Sequence, residues 1–281
     1  MELWVLLAIA GGIGSNIFNF LTRYALRDGD DAVTFAWLFE LIRGVIFAAA
    51  VFTGPPQTVT VWGGALLFVV GIIEVVCIYL YMKMHSYVHL SISAVIIRMR
   101  LIWIPILAFV LLHEALQAHE YISIFILFTG LLIAGAPHKL KHDKGVQYAY
   151  IFSFFGALLA VTMKMASDLF SPSMIIFAMS LPSIVVLPLL LKQPWGKIRG
   201  LANERLAAKI GVALINAGSF YLYAVALRWG SVSIVQAIYQ SMMIFSIILG
   251  IVLLREREDI LRKLIGTAIT LAGISALTLF S

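Results

Sequence analysis

Five ionisable residues lie in the middle of long apolar runs: Glu40, Arg43, Glu74, Arg98 and Arg100. Charge at membrane depth is costly, so each is a candidate for function. Their formal sum is +1, three arginines against two glutamates, which suggests pairing inside a bundle. Glu40 and Arg43 are three apart and share a helix face, where they can form a structural salt bridge or serve a solute or gate. Arg98 and Arg100 are two apart, roughly 200° around an α-helix, so they are expected to face different surroundings. Arg98 shares its face with Ser91 and Ala94 and is placed toward a solute path. Arg100 is expected to pair with Glu74 or Glu40. Glu74 is the candidate for proton coupling, since intramembrane carboxyls serve proton relays. Its alternative is a fixed partnership with Arg98 or Arg100.

Polar side chains elsewhere in the apolar runs extend this set. Gln236 and Gln240 share a face with Ser233. Tyr79 and Tyr81, and again Tyr221 and Tyr223, alternate around their helices, so one of each pair can line a cavity; Tyr79 and Tyr221 are taken as candidates. Asn16 follows Gly11-Gly12-Ile13-Gly14-Ser15, a string read as close helix packing, with Asn16 as a hydrogen-bonder to a helix or a solute. Enzymatic chemistry finds little support. The run His113-Glu114-Ala115-Leu116-Gln117-Ala118-His119-Glu120 puts its second histidine six places on, where a zinc protease needs four. His85 and His89 have no evident third ligand. No Gly-x-Ser-x-Gly and no paired-aspartate or Ser/Lys arrangement is present. The one cysteine, Cys77, excludes an internal disulfide and is read as packing. No enzyme activity, cofactor or metal is expected.

The elements that must hold these residues are membrane helices. The chain is 62% hydrophobic and 12% charged, about half the charge of a soluble domain. Ten runs of about 20 apolar residues appear, at 3–26, 32–53, 59–84, 88–112, 119–136, 147–167, 172–191, 207–228, 231–254 and 259–280. The first is read as a retained span. Turn and charge signals separate the runs: Asp28-Gly29-Asp30-Asp31, Gly54-Pro55-Pro56, His138 to Gly145, Ser171-Pro172 and the basic stretch Lys192 to Arg205, read as interfacial. The net charge of +6 lies mostly in these connectors, as a topology signal and not a nucleic-acid surface.

The spans repeat. Ser91 to Glu114 and Ser233 to Glu256, 142 positions apart, share ten of 24 residues, including both ends. The same offset sets Tyr79-Leu80-Tyr81 against Tyr221-Leu222-Tyr223. The chain therefore divides into a first unit at 1–139 and a second at 140–281, each of five spans. Five is odd, so the second unit enters from the opposite side: an inverted repeat. Fifteen of the 20 Lys and Arg residues fall in or beside the odd connectors, which places those connectors in the cytoplasm and both termini outside. The copies differ where Arg98 faces Gln240, Glu74 faces Asn216 and Ala94 faces Gln236.

Ten spans in two inverted halves resemble the drug/metabolite transporter superfamily, in its EamA-type branch. Gly14-Ser15-Asn16 is similar to that family's first-span signature, with Ile13 where Trp is usual. Tyr-Leu-Tyr closing the third span, Leu-Leu-x-Glu closing the fourth and ninth, and Pro105 within the fourth are similar too, though His113 and Arg255 stand where Gly is common. The resemblance implies a multi-pass secondary transporter of the bacterial inner membrane, often an exporter, with both termini cytoplasmic, opposite to the charge count. The additional arginines point to an anionic or zwitterionic solute. A midplane site would then be bounded by the first, third, fourth, sixth, eighth and ninth spans. Arg98, Gln236 and Gln240 would contact the solute, with Asn16, Tyr79 and Tyr221 alongside. The expected partners are the lipid bilayer, a small solute and protons, with the chain a monomer or homodimer. The alternative is a membrane scaffold or sensor whose buried charges are structural.

Overall fold

A computed structural model describes residues 2–25, 32–87, 96–135, 144–191, 196–198, 200, 205–245 and 259–280. Among the described residues every regular element is a helix: α1 (Leu3–Ala25), α2 (Ala32–Thr53), α3 (Val61–Tyr87), α4 (Arg100–Leu112), α5 (Ala118–Gly135), α6 (Lys144–Ser167), α7 (Pro172–Leu189), α8 (Leu206–Trp229), α9 (Val232–Ser241) and α10 (Ile260–Phe280). In hydrocarbon each backbone group must find its partner within the segment, which is why apolar runs of this length become helices. Eight of them, α1 to α3, α5 to α8 and α10, are long and apolar enough to cross a membrane. Two shorter apolar helices stand where the fourth and ninth spans were expected. Ser91, Ala94, Arg255, Glu256 and most of the Lys192 to Arg205 connector lie outside the described residues. The outward surface is apolar, with Phe52, Val61 and Leu189 among its most exposed side chains, as a lipid-facing surface must be.

The helices pack by a rule that survives exchanging each one for the helix five places along. Helix α1 packs on α8, and α6 on α3. Helix α4 packs on α6, and α9 on α1. Helix α2 meets its counterpart α7, and α5 meets its counterpart α10. This is the contact pattern of a twofold axis between the halves.

Small residues let the backbones approach. A Cβ on Gly130 would stand 2.5 Å from the Thr270 nitrogen, and one on Gly266 would stand 2.4 Å from the Ala134 nitrogen. The spacings Gly130-x-x-x-Ala134 and Gly266-x-x-x-Thr270 thus interlock α5 and α10 backbone to backbone. The Gly11 string acts in the same way on α8: the Ser219 hydroxyl donates to the Gly11 carbonyl at 2.6 Å.

The ends of α4 and α9 join across the halves. His113 takes a left-handed conformation (φ 55°, ψ 28°) and closes α4, with the N–H of the next residue, Glu114, bonded to the Ala108 carbonyl at 3.2 Å. Gly is the usual residue at such a cap. The turn throws Glu114 across to the start of α9. There its carboxylate accepts from the Ser231 hydroxyl and from the N–H groups of Val232 and Ser233, at 3.3 and 3.5 Å. An anion at a helix N-terminus satisfies orphan donors and complements the dipole.

Gly130→Val is expected to force α5 and α10 apart and to destabilise the protein by about 1–3 kcal/mol, the usual cost of overpacking. Thermal unfolding in detergent measures it, and an unchanged midpoint would mean that the interface is not this tight.

Candidate functional site

The five mid-span charges separate into two groups; Lys209 of α8, which the sequence reading placed beside a connector, is also buried, 1% exposed. In the first, Arg43 on α2 is shared by both glutamates. One of its nitrogens donates to Glu40, three residues back, at 2.5 and 2.6 Å, and to Glu74 on α3 at 2.8 Å. Its Nε donates to the Ser180 hydroxyl on α7 at 3.0 Å, and its guanidinium stands 5.0 Å from the Phe220 ring centre on α8. Glu40 is 0%, Arg43 2% and Glu74 6% exposed. The local Glu40–Arg43 pair follows from the three-residue spacing. The expected partners of Glu74 do not: it is bound to Arg43, not to Arg98 or Arg100.

The second group gathers where α4 and α9 begin and end. Ile96 and Ile97 are helical, Arg98 and Met99 form a turn, and the helix resumes at Arg100. The bonds there are tight three-residue ones, from Met99 to Ile96 and from Leu101 to Arg98, both 2.9 Å. In the second half the matching break falls at Met242, the repeat counterpart of Arg100. Tight turns advance about 120° per residue, which brings side chains two apart closer in direction than a regular helix does. The two arginines both enter the bundle, and they face different surroundings there, Arg98 toward α9 and Arg100 toward α6.

Arg98 meets its own repeat counterpart: one nitrogen lies 3.5 Å from the Gln240 carbonyl, and another abuts the Met243 thioether. Arg100 reaches to α6. Its guanidinium lies 4.3 Å over the Phe152 ring and against Gly156, where a Cβ would come within 2.2 Å of it. Arg100 was expected to pair with Glu74 or Glu40; among the described residues it pairs with no carboxylate, because Arg43 has taken both. The Nε atoms of Arg98 and Arg100 are buried without a partner. So are both amide atoms of Gln240, a residue only 8% exposed. Gln236 is occupied, accepting from the Tyr223 hydroxyl at 2.5 Å, and the Tyr223 ring tilts against Tyr239 at 4.7 Å.

A membrane bundle with paired halves, matching breaks in two short helices and arginines at one break is the layout in which transporters place solutes. The EamA-like transporter family model matches residues 2–136 and again residues 143–279, one copy on each half. The chain belongs to that family. It is accordingly a multi-pass membrane protein whose relatives carry small solutes. A solved structure described as "Crystal structure of protein" shares the fold at 12% identity, with a TM-score of 0.75 over 99% of this chain and 96% of that one. No curated protein sequence matches.

In this EamA-like protein the remaining candidates divide. Asn16 donates to the Gly12 carbonyl of its own helix at 2.7 Å. Tyr79 and Tyr221 are the outward members of their pairs, 39% and 37% exposed; Tyr79 lies beside Lys83, and Tyr221 stacks on Phe47. The inward members are Tyr223, on Gln236, and Tyr81, whose ring meets Phe152 at 5.5 Å. Periodicity established that the tyrosines of a pair diverge but not which one faces in; the polar counterpart Gln236 is the signal that selects Tyr223. His113 closes α4 and His119 opens α5. Among the described residues no three His, Cys, Asp or Glu side chains gather to hold a metal.

Arg43→Gln would leave two carboxylates buried with no cation. A loss of about 3–5 kcal/mol is expected, the penalty of breaking a buried pair. Adding Glu74→Gln should recover part of it in the same unfolding measurement. A single variant as stable as the parent would show that the triad does not brace α2, α3 and α7.

Proposed function

We propose that this protein is a secondary transporter that exports a small organic solute bearing an acidic group, anionic or zwitterionic, across the bacterial inner membrane by alternating access. The observation that carries the reading is the meeting of Arg98 with Gln240. Each lies at a helix break, each is the other's counterpart in the repeat, and polar atoms of both are buried without partners. A closed scaffold would have no use for unsatisfied donors at its centre, since each costs stability.

In this reading two inverted units, 1–139 and 140–281, rock about that point. The exchange symmetry of the packing supports the inversion, and the charge bias of the connectors supports cytoplasmic odd loops. Arg98 and Gln240 contact the solute, Gln236 is held ready by Tyr223, and the Glu40–Arg43–Glu74 triad braces the wall. Two carboxylates sharing one arginine make protons the first counter-ion to test.

Uptake of a panel of labelled solutes into inverted and right-side-out vesicles, with and without a pH gradient, tests the reading. Flux of at least one solute is expected, faster into inverted vesicles and lowered about tenfold or more by Arg98→Ala, the loss of one charge-assisted contact. No flux of any solute would favour the scaffold or sensor. Flux unaffected by pH and by Glu74→Gln would remove the proton.

A further inference from the structure

The same site narrows the class of solute. A zwitterion such as an amino acid brings an ammonium group along with its carboxylate, and at membrane depth that ammonium needs an anionic partner of its own. Both intramembrane glutamates are already engaged: three of the contacts of Arg43 go to their oxygens. What remains unsatisfied at the breaks is almost entirely donor. Arg98 and Arg100 present two guanidiniums at one break, Arg98 beside the Gln240 backbone carbonyl at 3.5 Å and Arg100 over the Phe152 ring at 4.3 Å. The amide of Gln240 adds one donor and one acceptor, both unpartnered.

Arg100 is prepared for this work. Its flat face rests on Phe152, which in turn meets Tyr81, and the bare backbone at Gly156 gives the guanidinium its space. Guanidinium N–H groups lie in the plane of the group, so stacking one face leaves every donor available at the edge. Arg98 reaches inward from the other side of the break, toward α9.

We propose, resting on the transporter reading above, that the solute is an organic anion without a compensating ammonium group, its carboxylate or phosphate clamped between Arg98 and Arg100. The Gln240 amide reads a neighbouring hydroxyl or carbonyl. Arg100 is a specificity-determining residue, and Phe152 and Gly156 are its positioning residues.

Matched probes separate the possibilities: lactate against alanine, succinate against aspartate, and glycerol 3-phosphate against glycerol. Each is scored by competition with a transported solute in vesicles and by thermal stabilisation of the purified full chain. The acid lacking an amine should compete at a concentration about tenfold or more below that of its amino counterpart, and glycerol should not compete. The carboxylate and phosphate arms show which acid fits. Arg100→Gln should erase most of that preference, and Gly156→Leu, which displaces the guanidinium without touching the solute, should do the same. Amino acids competing as well as their amine-free counterparts, or a preference unchanged in both variants, would overturn the proposal and leave transport standing. Stabilisation by these anions with no flux of any solute would sustain the clamp and defeat the transporter reading. Neither stabilisation nor flux would overturn both.

Discussion

Arg43 sets the electrostatics of the whole bundle. A charge in low dielectric must be paired and hydrogen-bonded or it destabilises the fold. Arg43 meets that demand for Glu40 and Glu74 at once and draws in Ser180, so one cation ties α2, α3 and α7. The consequence is felt elsewhere. With both glutamates consumed, Arg98 and Arg100 have no carboxylate among the described residues. The polar heart of the molecule therefore divides into a satisfied brace and an unsatisfied, donor-rich junction.

The junction depends equally on backbone. A regular helix through positions 98 to 100 would send the two arginines to nearly opposite sides. The turn at Arg98 and Met99 narrows that divergence while still sending Arg98 toward α9 and Arg100 toward α6, and the break at Met242 repeats the turn in the other half. Local irregularity at membrane depth is tolerated where protein, not lipid, surrounds it. Here α6 and α9 provide that surround, with Phe152 and Gly156 on one side and Gln240 and Met243 on the other.

Much of this was legible in the order of residues. Apolar runs located the eight long helices, and the offset of 142 identified Arg98 and Gln240 as counterparts, although their contact is visible only in the structure. The Glu40–Arg43 pair follows from spacing alone. What the sequence could not reveal were the pairings that cross helices. Nothing local tells Glu74 that its partner is 31 residues back on α2 and not on α4. The break before α4 carried no Gly or Pro at its site, since Pro105 comes six residues after Met99, so a regular helix was the natural expectation; the pairing expected of Arg100 failed separately, because Arg43 holds both glutamates. The tyrosine pairs failed similarly: a period fixes relative direction, and only packing decides which direction is inward.

The seam between α5 and α10 has a mechanical meaning. Where side chains interdigitate, a contact can yield by changing rotamers. Where Gly130 and Gly266 put backbone against backbone, there is no such compliant layer. That seam is stiff, and it lies on the exchange axis of the two halves. A seam without a compliant layer can turn but cannot slide or part, which suits it to be the hinge line for a motion of one half against the other.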